Sequence, residues 1–158
     1  MIEFLPEKRN ATRALIIKHD KVLLLRKVYE NGKERFALPG GGQDTGESLK
    51  QTLSRECIEE IGALVKVGEL IHVVDVIKLR DSHPPTKRHL IEFIFECTLE
   101  EGYVPKNGSH PDTHQVEVVW VDIVNLVDLS LSPEYLSAFI PSYKNDTNET
   151  YLGMFVQD

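Results

Sequence analysis

The order of strand and helix patterns along this chain predicts an α+β domain. Three observations carry that prediction. β-rich runs occupy both halves of the sequence, one strong amphipathic helix interrupts them between residues 48 and 61, and shorter helical patterns come only late. No internal repeat, low-complexity tract or linker divides the chain, so residues 1–158 read as one domain with one substantial core.

Residues 11–18 (ATRALIIK) and 21–29 (KVLLLRKVY) read as strands joined by a hairpin at His19-Asp20. Asn31-Gly32 marks the next turn, and Phe36-Ala37-Leu38 is a short strand stopped by Pro39. The helix runs from about Ser48 to Ile61, with Gly62 as its stop and Asp44 or Thr45 capping its start. Val65 to Leu79 is apolar and β-branched, one or two strands, with the second buried on both faces. Arg80 to Lys87 holds His83-Pro84-Pro85 and reads as a loop. From Leu90 to Leu99 apolar residues alternate, with Ile91, Phe93, Phe95 and Cys97 on one face and Glu92, Glu96 and Thr98 on the other. Glu101 to His114 is a long polar loop, and Val116 to Val121 another strand. Short helices follow at about 122–127 and 133–140, the last capped by Ser132, opened by Pro133 and ended by Pro141. Tyr151 to Val156 is a final strand.

A formal charge of −7 argues against non-specific nucleic-acid binding, which draws on dense Lys/Arg patches. It leaves room for a small polyanion, because a bound cation dominates its local field. The two cysteines, Cys57 and Cys97, make no disulfide framework and read as small core residues in a reducing compartment. No apolar run reaches membrane-spanning length and the amino terminus has no long apolar region, so a cytoplasmic location without membrane attachment is expected.

The chemistry concentrates between Gly41 and Gly62. Glu56, Glu59 and Glu60 fall at i, i+3 and i+4, so one helical turn presents three carboxylates within reach of each other. Without a counter-charge they repel and their pKa values rise. A hard divalent cation such as Mg²⁺ removes the repulsion, and such ions are held by carboxylates together with substrate phosphates. Leu49, Leu53, Cys57 and Ile61 form an apolar stripe about 120° wide at about 100° per residue. Glu60 projects inside that stripe, Glu56 just beside it, and Glu59 about 60° farther round. Upstream, Leu38-Pro39-Gly40-Gly41-Gly42 is a loop that lets backbone approach a ligand closely.

Gly41, Glu47, Arg55, Glu56, Glu59, Glu60 and Gly62 fill every specified position of G-x5-E-x7-R-E-U-x-E-E-x-G-U, where U is a bulky apolar residue. Through that stretch, Gly41 to Ala63, the chain resembles the Nudix hydrolases. Cys57 and Ala63 are smaller than the usual U residues, which bears on packing more than on chemistry. The resemblance implies a mixed β-sheet sandwiched between α-helices. It also implies hydrolysis of the pyrophosphate bond in a nucleoside diphosphate linked to a group X, with Mg²⁺ as cofactor and Mn²⁺ able to substitute. Glu56, Glu59, Glu60 and the Gly40 carbonyl would be the metal ligands, while Arg55 and Glu47 would hold the glycine loop to the helix. The proton acceptor would be Glu59 or a member of the 106–117 loop, where Asp112, His114 and Glu117 are available.

Arg26, Arg35, Arg88 and Glu92, with His89, are candidate substrate contacts, each also readable as a solvated strand-end charge. His72 reads as a hydrogen-bonded core histidine, and His83 and His110 lack partners at zinc spacing. The expected partner is a small nucleotide-type molecule, a nucleoside triphosphate or another nucleoside diphosphate derivative, and a homodimer is compatible with the reading. ADP-ribose-specific members often carry a proline downstream of the box, where this chain has Val76 to Arg80, and the tyrosine associated with dinucleoside polyphosphates is missing as well. Two rival readings remain. A non-hydrolysing Nudix-like sensor usually loses box carboxylates, whereas all are retained here; an RNA 5′-end pyrophosphohydrolase needs a groove for an anionic strand, against a charge of −7.

Overall fold

The computed structural model describes residues 5–80, 83–144 and 149–157. In chain order the elements are β1 (Leu5–Leu15), β2 (Ile17–Lys18), β3 (Lys21–Val28), β4 (Glu34–Ala37), β5 (Gly40–Gly42), α1 (Leu49–Ile61), β6 (Lys66–Arg80), β7 (Thr86–Thr98), β8 (Gln115–Asp122), a 3-10 turn (Ile123–Asp128), α2 (Leu136–Ser142) and β9 (Tyr151–Gln157). The α+β expectation holds, and the strands divide between two sheets. One runs β5-β1-β7-β6-β9, with β1 parallel to β7 and β9 parallel to β6; in the other, β3 pairs with β2, β4 and β8.

Strand β3 shows why two layers form. Val22 to Leu25 are all buried, and alternate residues join different cores. Val22 and Leu24 pack with Phe36, Val76, Ile94 and Ile140 beneath α2, while Leu23 and Leu25 pack with Leu53, Cys57, Ile61 and Phe95 beneath α1. Leu53 and Ile61 are fully buried, each burial contributing about 1.5–3 kcal/mol. Both cysteines are free and buried; burial pushes their thiols up, Cys97 to about 12, so neither is a nucleophile at neutral pH.

The helix α1 starts differently from expectation. Ser48, rather than Asp44 or Thr45, is its cap: Ser48 Oγ accepts from Gln51 N–H at 3.1 Å and the Gln51 side chain accepts from Ser48 N–H at 2.8 Å. Asp44 is committed to a turn in which its carbonyl accepts from Glu47 N–H. The polar loop after β7 covers the other end of α1. Tyr103 Oη donates to Ile61 O at 2.6 Å, Gly108 N–H to Glu60 O at 3.0 Å, and His110 N–H to Glu59 O at 2.8 Å. These bonds satisfy carbonyls that a helix end otherwise leaves bare.

Other boundaries shift. Strand β1 begins well before Ala11, because Arg9, Ala11 and Arg13 alternate onto a face that borders a polar cleft and leave no apolar signature. Strand β6 is continuous to Arg80 and β7 resumes at Thr86, so the expected Arg80–Lys87 loop is shorter; its residues 81 and 82 lie outside the described ones. Helix α2 begins at Leu136, with no side-chain cap, and carries Pro141 inside its last turn. Ser132 does not cap it, since Ser132 N–H donates to Phe36 O and its hydroxyl accepts from Gln157 Nε2. Among the described residues no helix is long and apolar enough to cross a membrane.

Candidate active site

The glycine loop and α1 meet through contacts that only small residues permit. Gly40 sits at φ 140° with its backbone against β1; a Cβ there would lie 2.0 Å from Thr12 O. A Cβ on Gly41 would lie 2.5 Å from the Glu56 carboxylate, so its absence lets that side chain rest on the loop. Gly40 N–H donates to Glu60 Oε1 at 2.7 Å.

Arg55 ties the same parts together. Its Nε and Nη2 donate to the two Glu47 oxygens at 2.8 and 2.9 Å, Nη2 also reaches Gly42 O at 3.2 Å, and Nη1 donates to Glu56 at 3.0 Å and Glu59 at 3.4 Å. This paired geometry is the strong form of a charge-assisted bond. Arg55 holds the Glu47 carboxyl down at about 2, well below its usual range.

The three box glutamates separate as the helical wheel orders them. Glu60 is buried at 3% exposure, Glu56 lines the cleft, and Glu59 lies farther out beside Arg55. Burial pushes Glu60 up to about 8, and burial also raises Glu56 against the opposing pull of Arg55. Among the described residues no three Asp, Glu, His or Cys side chains close around a common metal position. In this arrangement Arg55 Nη1 bridges Glu56 and Glu59, while the Gly40 N–H holds Glu60 on the glycine loop. The donor chemistry nonetheless suits a hard cation, because two desolvated carboxylates face one polar cleft beside a backbone carbonyl. Gly40 O already accepts from Arg13 Nη1 at 2.8 Å and keeps a second lone pair.

That cleft, about 270 Å³, is lined by α1, the glycine loop and strand-borne cations, of which Arg9 and Arg13 lie against the loop itself. Arg9 and Arg13 come from β1, Lys27 from β3, Lys78 from β6 and Arg88 from β7. Arg13 Nε donates to the buried Glu92 at 3.0 Å, and Arg88 pairs with Glu7 at 3.1 Å. Lys27 pairs with Asp112. Burial alone would raise the Asp112 carboxyl, yet Lys27 holds it below the usual range. Burial pulls the Lys78 ammonium down to about 8. Among the described residues, Arg9 and Lys78 have no hydrogen-bond or ion-pair partner, and Arg88 Nε is buried without one.

Five sequence expectations change here. Arg26 does not line the cleft; it pairs with Glu34 at 2.7 Å and Glu117 at 3.4 Å on the opposite face of β3, which removes Glu117 from the site as well. Arg35 lies outside the cleft, although Lys27 is its cross-strand neighbour. Glu92 is not a surface contact but the buried partner of Arg13, with Oε1 unpartnered. His72 is in the core as expected, its ring edge-on to Phe139 at 4.7 Å, but its Nδ1 has no partner. His89 pairs with Asp75 at 2.6 Å and His114 packs on Tyr29. Arg9, Arg13, Lys27 and Lys78 were not singled out from sequence; an Arg-x-Ala-x-Arg alternation at residues 9–13 was the available signal.

Comparison with known proteins gives the family and the fold. The NUDIX domain model matches residues 7–141. The ADP-ribose pyrophosphatase of Methanocaldococcus jannaschii is 30% identical over 135 residues, covering 85% of this chain and 74% of that protein. Among solved structures, the MutT protein of Bacillus halodurans superposes with a TM-score of 0.65 at 22% identity, covering 94% of this chain and 89% of that one. An ADP-ribose pyrophosphatase from Streptococcus suis gives 0.60 at 20% identity, covering 94% and 98%. With the family match running from β1 into α2, this chain belongs to the Nudix hydrolases, as a pyrophosphohydrolase.

Proposed function

We propose that the protein hydrolyses the pyrophosphate bond of a nucleoside diphosphate derivative with a bound divalent cation, Mg²⁺ or Mn²⁺. The observation that carries this is a single cleft lined both by Glu56 and Glu60 and by Arg9, Arg13, Lys27, Lys78 and Arg88. A cleft with unpartnered cations, Lys78 partly desolvated among them, suits an anion, and desolvated carboxylates call for a cation. A metal-bound diphosphate supplies both.

Glu56, Glu60 and the Gly40 carbonyl would hold the metal, with Glu59 joining when Arg55 yields. The metal, when bound, supplies charge neutralisation at the phosphate oxygens and acidifies a water. Arg9, Lys78 and Arg88 would take the phosphate oxygens, and Arg13 keeps the Gly40 carbonyl oriented through its bond to it. Asp112, held ionised beside Lys27, is the loop carboxylate inside the cleft and is assigned as acceptor of the water proton. The chain's relatives include an ADP-ribose pyrophosphatase, which favours a nucleoside diphosphate linked to a further group over a simple triphosphate.

The test is nucleotide and phosphate release from a panel of triphosphates, ADP-ribose, nucleotide sugars, dinucleoside polyphosphates and capped RNA, with Mg²⁺, Mn²⁺ or EDTA. Metal-dependent cleavage lost in Glu60→Gln supports the assignment. Equal turnover in EDTA, or in both Glu59→Gln and Glu60→Gln, refutes it.

A further inference from the structure

We propose that a second depression, walled by Arg35, Glu134, Tyr135, Phe155 and Gln157, receives the nucleobase of the substrate. The assignment rests on the reading of the neighbouring cleft as the diphosphate site. The depression measures about 480 Å³, within the range of small-molecule pockets.

Its position follows from strand register. Gln157 of β9 is the partner of Lys78 of β6, and Arg35 of β4 is the partner of Lys27 of β3. Both lysines line the cleft. Neighbouring strands lie about 5 Å apart, so each wall of the depression starts one strand from a phosphate-facing cation. Ala37 and Arg35 alternate on the same face of β4, the first in the cleft and the second in the depression. Ser132 lines the cleft and accepts a hydrogen bond from Gln157 Nε2, a further joint between the two. The groove beside Trp120 has no such connection; it lies with Tyr103 at the carboxyl end of α1.

Its chemistry suits a planar, hydrogen-bonding ring. Tyr135 and Phe155, both in its lining, stack on each other with centroids 4.5 Å apart and planes 20° from parallel, so the depression carries an aromatic pair. Gln157 donates to Ser132 through Nε2 while its Oε1 is buried without a partner, an acceptor suited to an exocyclic amino or ring N–H group. Arg35 has no hydrogen-bond or ion-pair partner among the described residues, and its planar guanidinium stacks on π faces.

The experiment separates base from diphosphate without turnover. Calorimetric titration in Mg²⁺ would compare methylenediphosphonate with α,β-methylene diphosphates of adenosine, guanosine, uridine and cytidine, on the wild-type protein and on Phe155→Leu and Gln157→Ala. Phe155→Leu keeps apolar volume and removes the aromatic face; Gln157→Ala removes the acceptor at a strand end. The wild type should bind at least one nucleoside compound about tenfold or more tighter than methylenediphosphonate, the size that base–aromatic stacking supplies. Both variants should lose most of that ratio while keeping their affinity for methylenediphosphonate. A wild type that binds methylenediphosphonate without preferring any nucleoside compound, or a preference intact in both variants, overturns the subsite alone. A wild type that binds neither class overturns the subsite together with the diphosphate reading of the cleft.

Discussion

Replacing Glu60 by Gln should remove activity and, in metal-free protein above neutral pH, raise stability. Burial moves the Glu60 carboxyl from its ordinary 4.5 to about 8. Between those values the folded chain holds a proton that the unfolded chain has released, so stability falls as pH rises through the window and levels off above pH 8. Full ionisation in place therefore costs about 5 kcal/mol. Gln keeps the oxygen that accepts from Gly40 N–H but adds amide donors, whose burial costs about 1–3 kcal/mol at every pH. The variant should thus be the less stable protein at pH 4 and the more stable one at pH 9. The difference between them should swing by about 5 kcal/mol, or roughly 10–20 °C in Tm. Urea and thermal denaturation in EDTA across that range is the assay. A difference that stays constant with pH would refute the account of Glu60 as a buried carboxyl strained by ionisation. Saturating Mg²⁺ should restore wild-type stability at pH 9 by binding the folded state, with a much smaller effect on the variant.

Gly41→Ala places a methyl 2.5 Å from the Glu56 carboxylate and should lower kcat roughly 100-fold with an unchanged circular dichroism spectrum. Wild-type kcat would show that the loop simply moves aside. Arg55→Lys loses the paired bonds to Glu47 and the reach to Gly42 O, so metal affinity or activity should fall roughly 10–100-fold, read from a Mg²⁺ titration of turnover. Asp112→Asn should cut kcat about 100-fold or more, whereas Glu117→Gln should leave it unchanged; the reverse pattern would move the proton acceptor out of the cleft.

What sequence made legible is the part of the site that is local in the chain. The box glutamates sit on one helical turn, so spacing alone gives their relative directions, and the observed order (Glu60 innermost, Glu56 beside it, Glu59 outermost) follows the wheel. Of the cleft's cations only Arg88 is a candidate from sequence, because the five come one or two apiece from four strands far apart in the chain. Strand β3 illustrates the limit. Its residues Val22 to Leu25 are buried on both faces, so no alternation tells which of Arg26 and Lys27 continues the face toward α1. The structure gives that face to Lys27, in step with Leu23 and Leu25. Glu92 misled in the opposite sense, alternating with Phe93 and Phe95 like a solvent-facing residue while its face meets Arg13.

The net charge of −7 describes the whole surface and says little about this cleft, where Arg9, Arg13, Lys27, Lys78 and Arg88 outnumber Glu56, Glu60 and Asp112. One cause acts there on both signs. Burial pushes Glu60 up to about 8 and pulls Lys78 down to about 8, so each charged form is disfavoured while its counter-charge is absent. Joining the two directly would neutralise them, but Glu60 comes from α1 and Lys78 from β6, and among the described residues no hydrogen bond or ion pair links their side chains. A ligand carrying both signs, its cation on Glu56 and Glu60 and its anion on the lysine and arginine groups, would satisfy both. The proposed ligand, a divalent metal on a diphosphate, has that polarity.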